Sequence, residues 1–306
     1  MTNMNFEGRV VIVTGAGNGL GKSHAMEFAR RGAKVVVNDL GGSGHGAGQS
    51  ASVAQGVVEE IKAAGGEAIA NTDSVEDGGR IVETALDAFG RIDVVVNNAG
   101  ILRDAAFHKL GDADWDLIYR VHLKGSYAVT RAAWPHMREQ GYGRVLMTSS
   151  GAGVYGNFGQ ANYSTAKLGL HGLAQTLAIE GRAKGIHVNT IAPIAASRLT
   201  ETVMPPEMLK GLKPELVTPL AVLLCSEDCA ATGQLFEVGG GWVTRLRWEQ
   251  SRGATFDPVA GYSAEDLAAR WDDVQSFEGS YHPTDLSNTL KIVGDNIGVE
   301  VALGPQ

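Results

Sequence analysis

Residues 10–31 read VVIVTGAGNGLGKSHAMEFARR. A β-branched apolar run, 10–14, passes directly into a glycine-rich turn, 14–21. The turn opens into an amphipathic pattern over 22–31 that Gly32 closes. A short run that is apolar throughout reads as a strand buried on both faces of a parallel sheet. Gly15, Gly19 and Gly21 carry no β-carbon. The backbone can therefore turn sharply there and approach a pyrophosphate, whose charge is favoured at the start of the following helix. A plain tight turn is the bland alternative, and the strand–turn–helix context argues against it.

Working outward, further short apolar runs occupy 34–38, 67–71, 92–97, 144–148, 187–191 and 235–238. Helical periodicity fills 49–64, 75–89, 113–140 and 162–184, with Pro135 predicting a kink in the third of these. Alternating strands and helices imply parallel pairing through right-handed crossovers. The expected fold is α/β: a Rossmann-type, doubly wound, seven-stranded parallel sheet with helices on both faces. Ligands bind such sheets at the carboxyl ends of the strands, where the strand order reverses. Beyond Trp242 the pattern changes. Residues 245–306 lack strong strand runs and carry two helices, one opened by Ser263 with Asp266 answering it, the other over 284–293. The expected division is a cofactor-binding and catalytic domain over 1–244 and a helical C-terminal extension over 245–306, packed on the core or on a partner subunit.

Composition narrows the function classes. The formal net charge is −8, which argues against nucleic acid or an anionic membrane as partner. No run approaches the roughly 18 apolar residues of a membrane span. The N-terminus shows no charged-then-apolar leader, and the last residues, Gly304-Pro305-Gln306, are not a Ser-Lys-Leu address, so a cytoplasmic location is expected. Cys225 and Cys229 read as small hydrophobes, and no metal site is expected.

Asp39 closes the second strand, where a carboxylate accepts hydrogen bonds from the adenosine ribose hydroxyls and repels a 2′-phosphate. The turn residues Ala16, Gly17 and Asn18 offer no compensating cation, so NAD is expected over NADP. Leu40 follows Asp39; Asp73 and Ser74 follow the third strand, and Asn97-Asn98-Ala99-Gly100 the fourth. For Asn98 a structural role and a direct contact stand as equal alternatives. Tyr163 and Lys167 lie one helical turn apart in Tyr-Ser-Thr-Ala-Lys, on one face of a helix. A free phenol titrates near 10 and is a poor base at neutrality. A neighbouring ammonium lowers that value, so Tyr163 can move a proton to or from a substrate oxygen. Ser150, after the fifth strand, can bind the same oxygen.

The glycine-rich turn, Asn97–Gly100, Ser149-Ser150 and the Tyr163/Lys167 pair together resemble the short-chain dehydrogenase/reductase family, from about Phe6 to about Trp242. The resemblance implies hydride transfer between a nicotinamide and a carbonyl or alcohol carbon. It implies catalytic roles for Ser150, Tyr163 and Lys167, with Lys167 also holding the nicotinamide ribose. The candidate cofactor contacts are Gly15, Asn18, Gly19, Leu20, Gly21, Asp39, Leu40, Asp73, Ser74, Asn97, Ala99, Gly100, Tyr163, Lys167, Pro193 and Ile194. Two positions depart from the family pattern. His122 stands where Asn is usual, and either a role in a proton relay or simple packing fits it. Pro193-Ile194 stands where Pro-Gly is usual.

Longer strings narrow the likeness: 38–42 (NDLGG), 100–104 (GILRD), 119–123 (YRVHL), 154–160 (VYGNFGQ), 236–240 (FEVGG) and 246–249 (LRWE). They are similar to the (3R)-hydroxyacyl-CoA dehydrogenase units of type 2 peroxisomal multifunctional enzymes, the subfamily of 17β-hydroxysteroid dehydrogenase type 4. That subfamily also carries His at the position of His122. In it the unit is joined to a hydratase domain, so the chain reads as a stand-alone version. The likeness implies oxidation of a (3R)-3-hydroxyacyl-CoA in lipid breakdown, at least a homodimer, and mate-to-mate packing of the helices beginning near Ala113 and Asn162. A hydroxysteroid dehydrogenase for free steroid alcohols is the alternative. Residues 197–212 would cover the substrate, with Leu199, Val203, Met204, Met208 and Leu209 as an apolar wall or as plain core. Arg198, Lys210 and Lys213 are candidates for CoA phosphates or solvated surface charges.

Overall fold

The computed structural model describes residues 4–46, 48–196 and 206–300. Seven strands follow in chain order: β1 (Val10–Thr14), β2 (Lys34–Asn38), β3 (Glu67–Asn71), β4 (Val94–Asn97), β5 (Gly143–Thr148), β6 (Ile186–Ile194) and β7 (Leu235–Gly239). An eighth, β8 (Trp242–Leu246), makes the sheet one strand wider than expected. Their order is β3-β2-β1-β4-β5-β6-β7-β8, and β1 to β7 pair in parallel. The two-residue turn Gly240-Gly241 returns β8 antiparallel to β7. β8 escaped the sequence reading because its residues are mostly exposed and carry no buried apolar run.

Alternation along the strands divides the core between the two sheet faces. Val11, Val13, Val35 and Val37 pack on one face with Phe28, Val57 and Ile61. Val10, Ile12, Val36 and Val95 pack on the other with Ile81, Val129 and Met137. The helices that cover these faces include Gly19–Arg30, Ala51–Ala63, Gly78–Phe89, Gly125–Gln140 and Ala161–Gly181. The helix does not break at Pro135. Gly125–Gln140 continues through it, with Val129, Ala133 and Met137 buried on the same helix. The irregularity lies earlier, where Tyr119–Lys124 forms a π-turn after the helix Asp112–Ile118. Such widened turns re-aim side chains and often mark functional sites.

An ionic lattice ties the amino ends of the strands together. Asp93 is fully buried just before β4, and its carboxylate accepts from Arg9 at 2.9 Å, Arg91 at 2.6 Å and the Val10 amide at 2.9 Å. Arg9 and Arg144 both lie over the Tyr142 ring, at 3.8 and 4.4 Å from its centroid.

The chain separates into two compact units, residues 1–245 and 246–306. In the second, Ser263 and Asp266 form a reciprocal capping box at the start of Ala264–Ala269. A short helix, Trp271–Gln275, follows, and Leu286–Ile297 starts on an Asp285 cap. Among the described residues, no helix is long and apolar enough to cross a membrane, and no cluster of three or more His, Cys, Asp or Glu could hold a metal.

Candidate active site

The strand order reverses between β1 and β4, and the candidate residues gather at the carboxyl ends around that point. Gly15 and Gly19 sit at φ +62° and +53°, which favours glycine. A β-carbon on Gly15 would lie 2.7 Å from Ala99 Cα, and one on Gly21 only 2.2 Å from the Gly15 carbonyl oxygen. These two glycines let the turn close on itself, whereas Gly19 faces open space. Asn18 precedes the helix Gly19–Arg30 without a side-chain cap, so the first-turn amides there remain available to an anion. The turn thus fits a dinucleotide pyrophosphate.

Asp39 accepts from the Gly17 amide at 2.8 Å and from the Gly41 amide at 2.7 Å. Its carboxylate therefore braces the turn. Leu40 beside it is partly exposed. Asp73 is engaged on every side. Its carboxylate accepts from Asn71 Nδ2 at 2.8 Å and faces Arg80 at 3.7 Å, and its carbonyl accepts from Asn38 Nδ2 at 2.9 Å. Ser74 caps the short turn Val75–Asp77 through its hydroxyl.

Of the Asn97–Gly100 segment, the Asn97 side chain is buried against Thr130 and Met147, so it faces the core and not the cleft. Asn98 Nδ2 donates to the carbonyls of Thr14 and Gly15, at 3.0 and 3.1 Å, which makes its side chain a structural brace. Thr14, which the sequence reading passed over, accepts from the amides of Asn98 and Ala99 through its hydroxyl. Its position just before the glycines was the available signal. Pro193 and Ile194 end β6, half-buried at the cleft edge.

Ser150, Tyr163, Lys167 and His122 come together. Ser150 caps the short helix Gly151–Tyr155 and stands beside the Tyr163 phenol. Lys167 Nζ lies 5.5 Å from the centre of the Tyr163 ring and donates to the Thr148 carbonyl at 2.7 Å. Burial brings the lysine down to about 7. The phenol is pushed up to about 12 by burial, with the Ser150 hydroxyl working against the rise and the Asp104 charge adding to it. Burial outweighs the downward shift expected from Lys167.

His122 is buried on the π-turn and stands edge-on to Tyr163, ring centres 5.3 Å apart. Burial and the Lys167 charge hold it well below the usual histidine range, so it is neutral. Its Nε2 lies 3.0 Å from the amide nitrogen and 2.8 Å from the carbonyl oxygen of Ile101. The ring therefore braces Ile101 and walls Tyr163. Two further links went unread in the sequence: Gln160 donates to Asp104 at 2.7 Å, and Asn162 to the Arg103 carbonyl at 3.0 Å.

Of the expected substrate cover, Arg198, Leu199, Val203 and Met204 lie outside the described residues. Met208 is exposed and Leu209 half-buried. Lys210 pairs with Glu207 at 3.0 Å, and Lys213 is exposed. Cys225 is a buried core residue whose thiol burial pushes up to about 12.

Residues 9–207 match the family profile described as short chain dehydrogenase. The peroxisomal multifunctional enzyme A of Dictyostelium discoideum is 58% identical over 287 residues, which cover 94% of this chain and 64% of that protein. The structure of full-length peroxisomal multifunctional enzyme type 2 from Drosophila melanogaster superposes with a TM-score of 0.83 at 39% identity, covering 96% of this chain and 50% of that one. A 7α-hydroxysteroid dehydrogenase solved with NADH and 7-oxo glycochenodeoxycholic acid gives 0.70 at 30% identity, covering 78% and 96%. The chain spans only 33% to 64% of the length of the multifunctional relatives it matches first.

Proposed function

The chain belongs to the short-chain dehydrogenase family, and we propose that it oxidises a (3R)-3-hydroxyacyl-CoA to the 3-ketoacyl-CoA with NAD as acceptor. The observation that carries the chemical half of this reading is the meeting of Ser150, Tyr163 and Lys167 beside the glycine-rich turn. The acyl-CoA half rests on the subfamily strings and on relatives whose names describe hydratase–dehydrogenase enzymes.

Ser150 holds the 3-hydroxyl oxygen of the substrate. Tyr163 takes its proton, and in the reverse direction returns it to the ketone oxygen. An oxidised nicotinamide bound here would accept the hydride and place a positive charge near the phenol, which favours phenolate. Lys167 adds to that field and, from its buried place, reaches the nicotinamide ribose. Asp39 receives the adenosine ribose and disfavours a 2′-phosphate, which is the basis for NAD over NADP. Asn97 and Asn98 contribute through backbone position only.

The same reading gives residues 1–244 both cofactor and catalytic duties, treats 245–306 as an extension, and takes the working unit as at least a homodimer. The exposed Tyr119, Tyr127, Leu168 and Ile179 on the long helices favour the dimer, which sedimentation would test. A cytoplasmic location belongs to this reading, and cell fractionation would test it.

Steady-state oxidation decides the substrate. A medium-chain (3R)-hydroxyacyl-CoA, its 3S epimer, a steroid side-chain hydroxyacyl-CoA and a free 17β-hydroxysteroid would be compared with NAD. R-specific turnover of either CoA ester supports the reading. Turnover of the free steroid alone replaces it with a hydroxysteroid dehydrogenase.

A further inference from the structure

The glycine-rich stretch after β2 is not a free surface loop. Its feet are joined, since the Ser50 amide donates to the Leu40 carbonyl at 3.1 Å. One foot is pinned to the cofactor site, where the Gly41 amide meets Asp39. At the far end the Leu102 amide donates to the Gly44 carbonyl at 3.0 Å, and His45 Nδ1 donates to the Leu102 carbonyl at 3.2 Å. Gly46, at φ +74°, lies so close to Ile101 that a β-carbon would meet its Cδ1 at 2.9 Å.

These contacts join a segment that leaves β2 to the segment that leaves β4. In the sheet, β1 lies between those strands. A bridge between their carboxyl ends passes across the carboxyl end of β1, where the glycine-rich turn begins. The composition suits a thin cover: Gly41, Gly42, Gly44 and Gly46 alternate with little bulk, and Gly41 and Gly46 hold positive φ. Its landing point, Ile101, is also braced by His122, which walls Tyr163.

We propose that residues 41–46 form a strap across the dinucleotide cleft, with His45 as its latch, and that the strap must lift from Leu102 for the cofactor to leave. This rests on the reading of the cleft as a nicotinamide dinucleotide site. His45 is thereby a cofactor-retaining residue that touches neither the Ser150–Tyr163–Lys167 group nor the reacting atoms. Lid opening or product release limits turnover in many enzymes.

The test needs no substrate. Protein loaded with NADH is mixed with excess NAD, and the loss of bound NADH fluorescence gives the release rate. The same is done with NADPH, so that whichever dinucleotide binds serves as probe. His45→Ala removes one exposed hydrogen bond and should speed release roughly two- to tenfold. Gly46→Ala, which crowds Ile101, should do the same. Amide exchange over 41–46 should slow when the dinucleotide is bound. Wild-type release rates in both variants, with no added protection, would overturn the strap while leaving the cofactor reading intact. Failure to bind either dinucleotide would overturn both.

Discussion

Lys167 Nζ donates a 2.7 Å hydrogen bond to the carbonyl oxygen of Thr148, the last residue of the strand that leads into Ser150. The bond fastens the helix Ala161–Gly181 to β5, and Ser149 Oγ returns the tie to the Lys167 carbonyl at 2.7 Å. The catalytic candidates on the helix and on the strand end are therefore held by the same pair of contacts.

Burial places the folded-state pKa of Lys167 near 7, below its ordinary value of 10.5. Between those values the unfolded chain binds more protons than the folded one, so this group makes stability rise with pH across that window. Lys167→Met removes the contribution. Denaturant midpoints measured at the two ends of the window should show the wild type gaining on the variant as pH rises. A gap that stays constant would refute the buried, easily deprotonated lysine.

The Tyr163 phenol, pushed up to about 12 in the chain alone, must lose its proton before it can accept one from an alcohol. Oxidation should therefore quicken toward alkaline pH and the reverse reduction should slow. Tyr163→Phe should lower kcat by roughly 10²- to 10⁴-fold. Dinucleotide binding, followed by fluorescence, should be unchanged in that variant.

Asp39 braces Gly17 and Gly41 and is the proposed acceptor for the adenosine ribose. Asp39→Asn keeps an acceptor oxygen but removes the charge. The ratio of NADPH to NADH affinity should rise by roughly tenfold or more, the worth of one charged hydrogen bond. Paired titrations would measure it, and an unaltered ratio would remove Asp39 as the selector.

Gly100 is the residue on which the ring of His122 rests, and a β-carbon there would lie 2.5 Å from His122 Cε1. Gly100→Ala should push the imidazole toward Tyr163 and lower kcat by up to about 10²-fold, as small displacements of reacting groups do. Adding His122→Ala should restore part of that loss. Strict additivity of the two changes would mean that the contact is not the route.

Asp93→Ala would leave Arg9 and Arg91 without their shared buried carboxylate. Arg9 and Arg91 are partly exposed and can be resolvated, so stability should fall by about 1.5–3 kcal/mol. Turnover per folded molecule should hold, because the lattice lies at the opposite ends of the strands from Tyr163. Chemical unfolding alongside active-site titration would separate the two effects.

Much of the fold was legible because a parallel sheet writes itself as short apolar runs, and β1 to β7 all carry that signature. β8 does not, since an edge strand that is largely solvated loses the pattern by which strands are read. Pro135 does not end its helix, because the buried Val129, Ala133 and Met137 pack the segment on both sides of it. In the site, the residue types and spacing pointed to Ser150, Tyr163 and Lys167. What they could not reveal was direction. Asn97 turned inward, Asn98 turned to the backbone of Thr14, and Lys167 turned to Thr148, because side-chain aim is settled by neighbours far away in sequence. Contacts such as Gln160 with Asp104 are of this kind and leave no periodic trace.

The Asp93 lattice has a bearing on how such a chain can change over generations. It fastens the amino ends of β1, β4 and β5, while every group that would meet a ligand projects from the carboxyl ends. Loops at the carboxyl rim can be lengthened, shortened or exchanged without disturbing the knot that registers the strands. New substrates can thus be explored by drift at one rim of the sheet, with the other rim keeping the scaffold viable while the experiment runs.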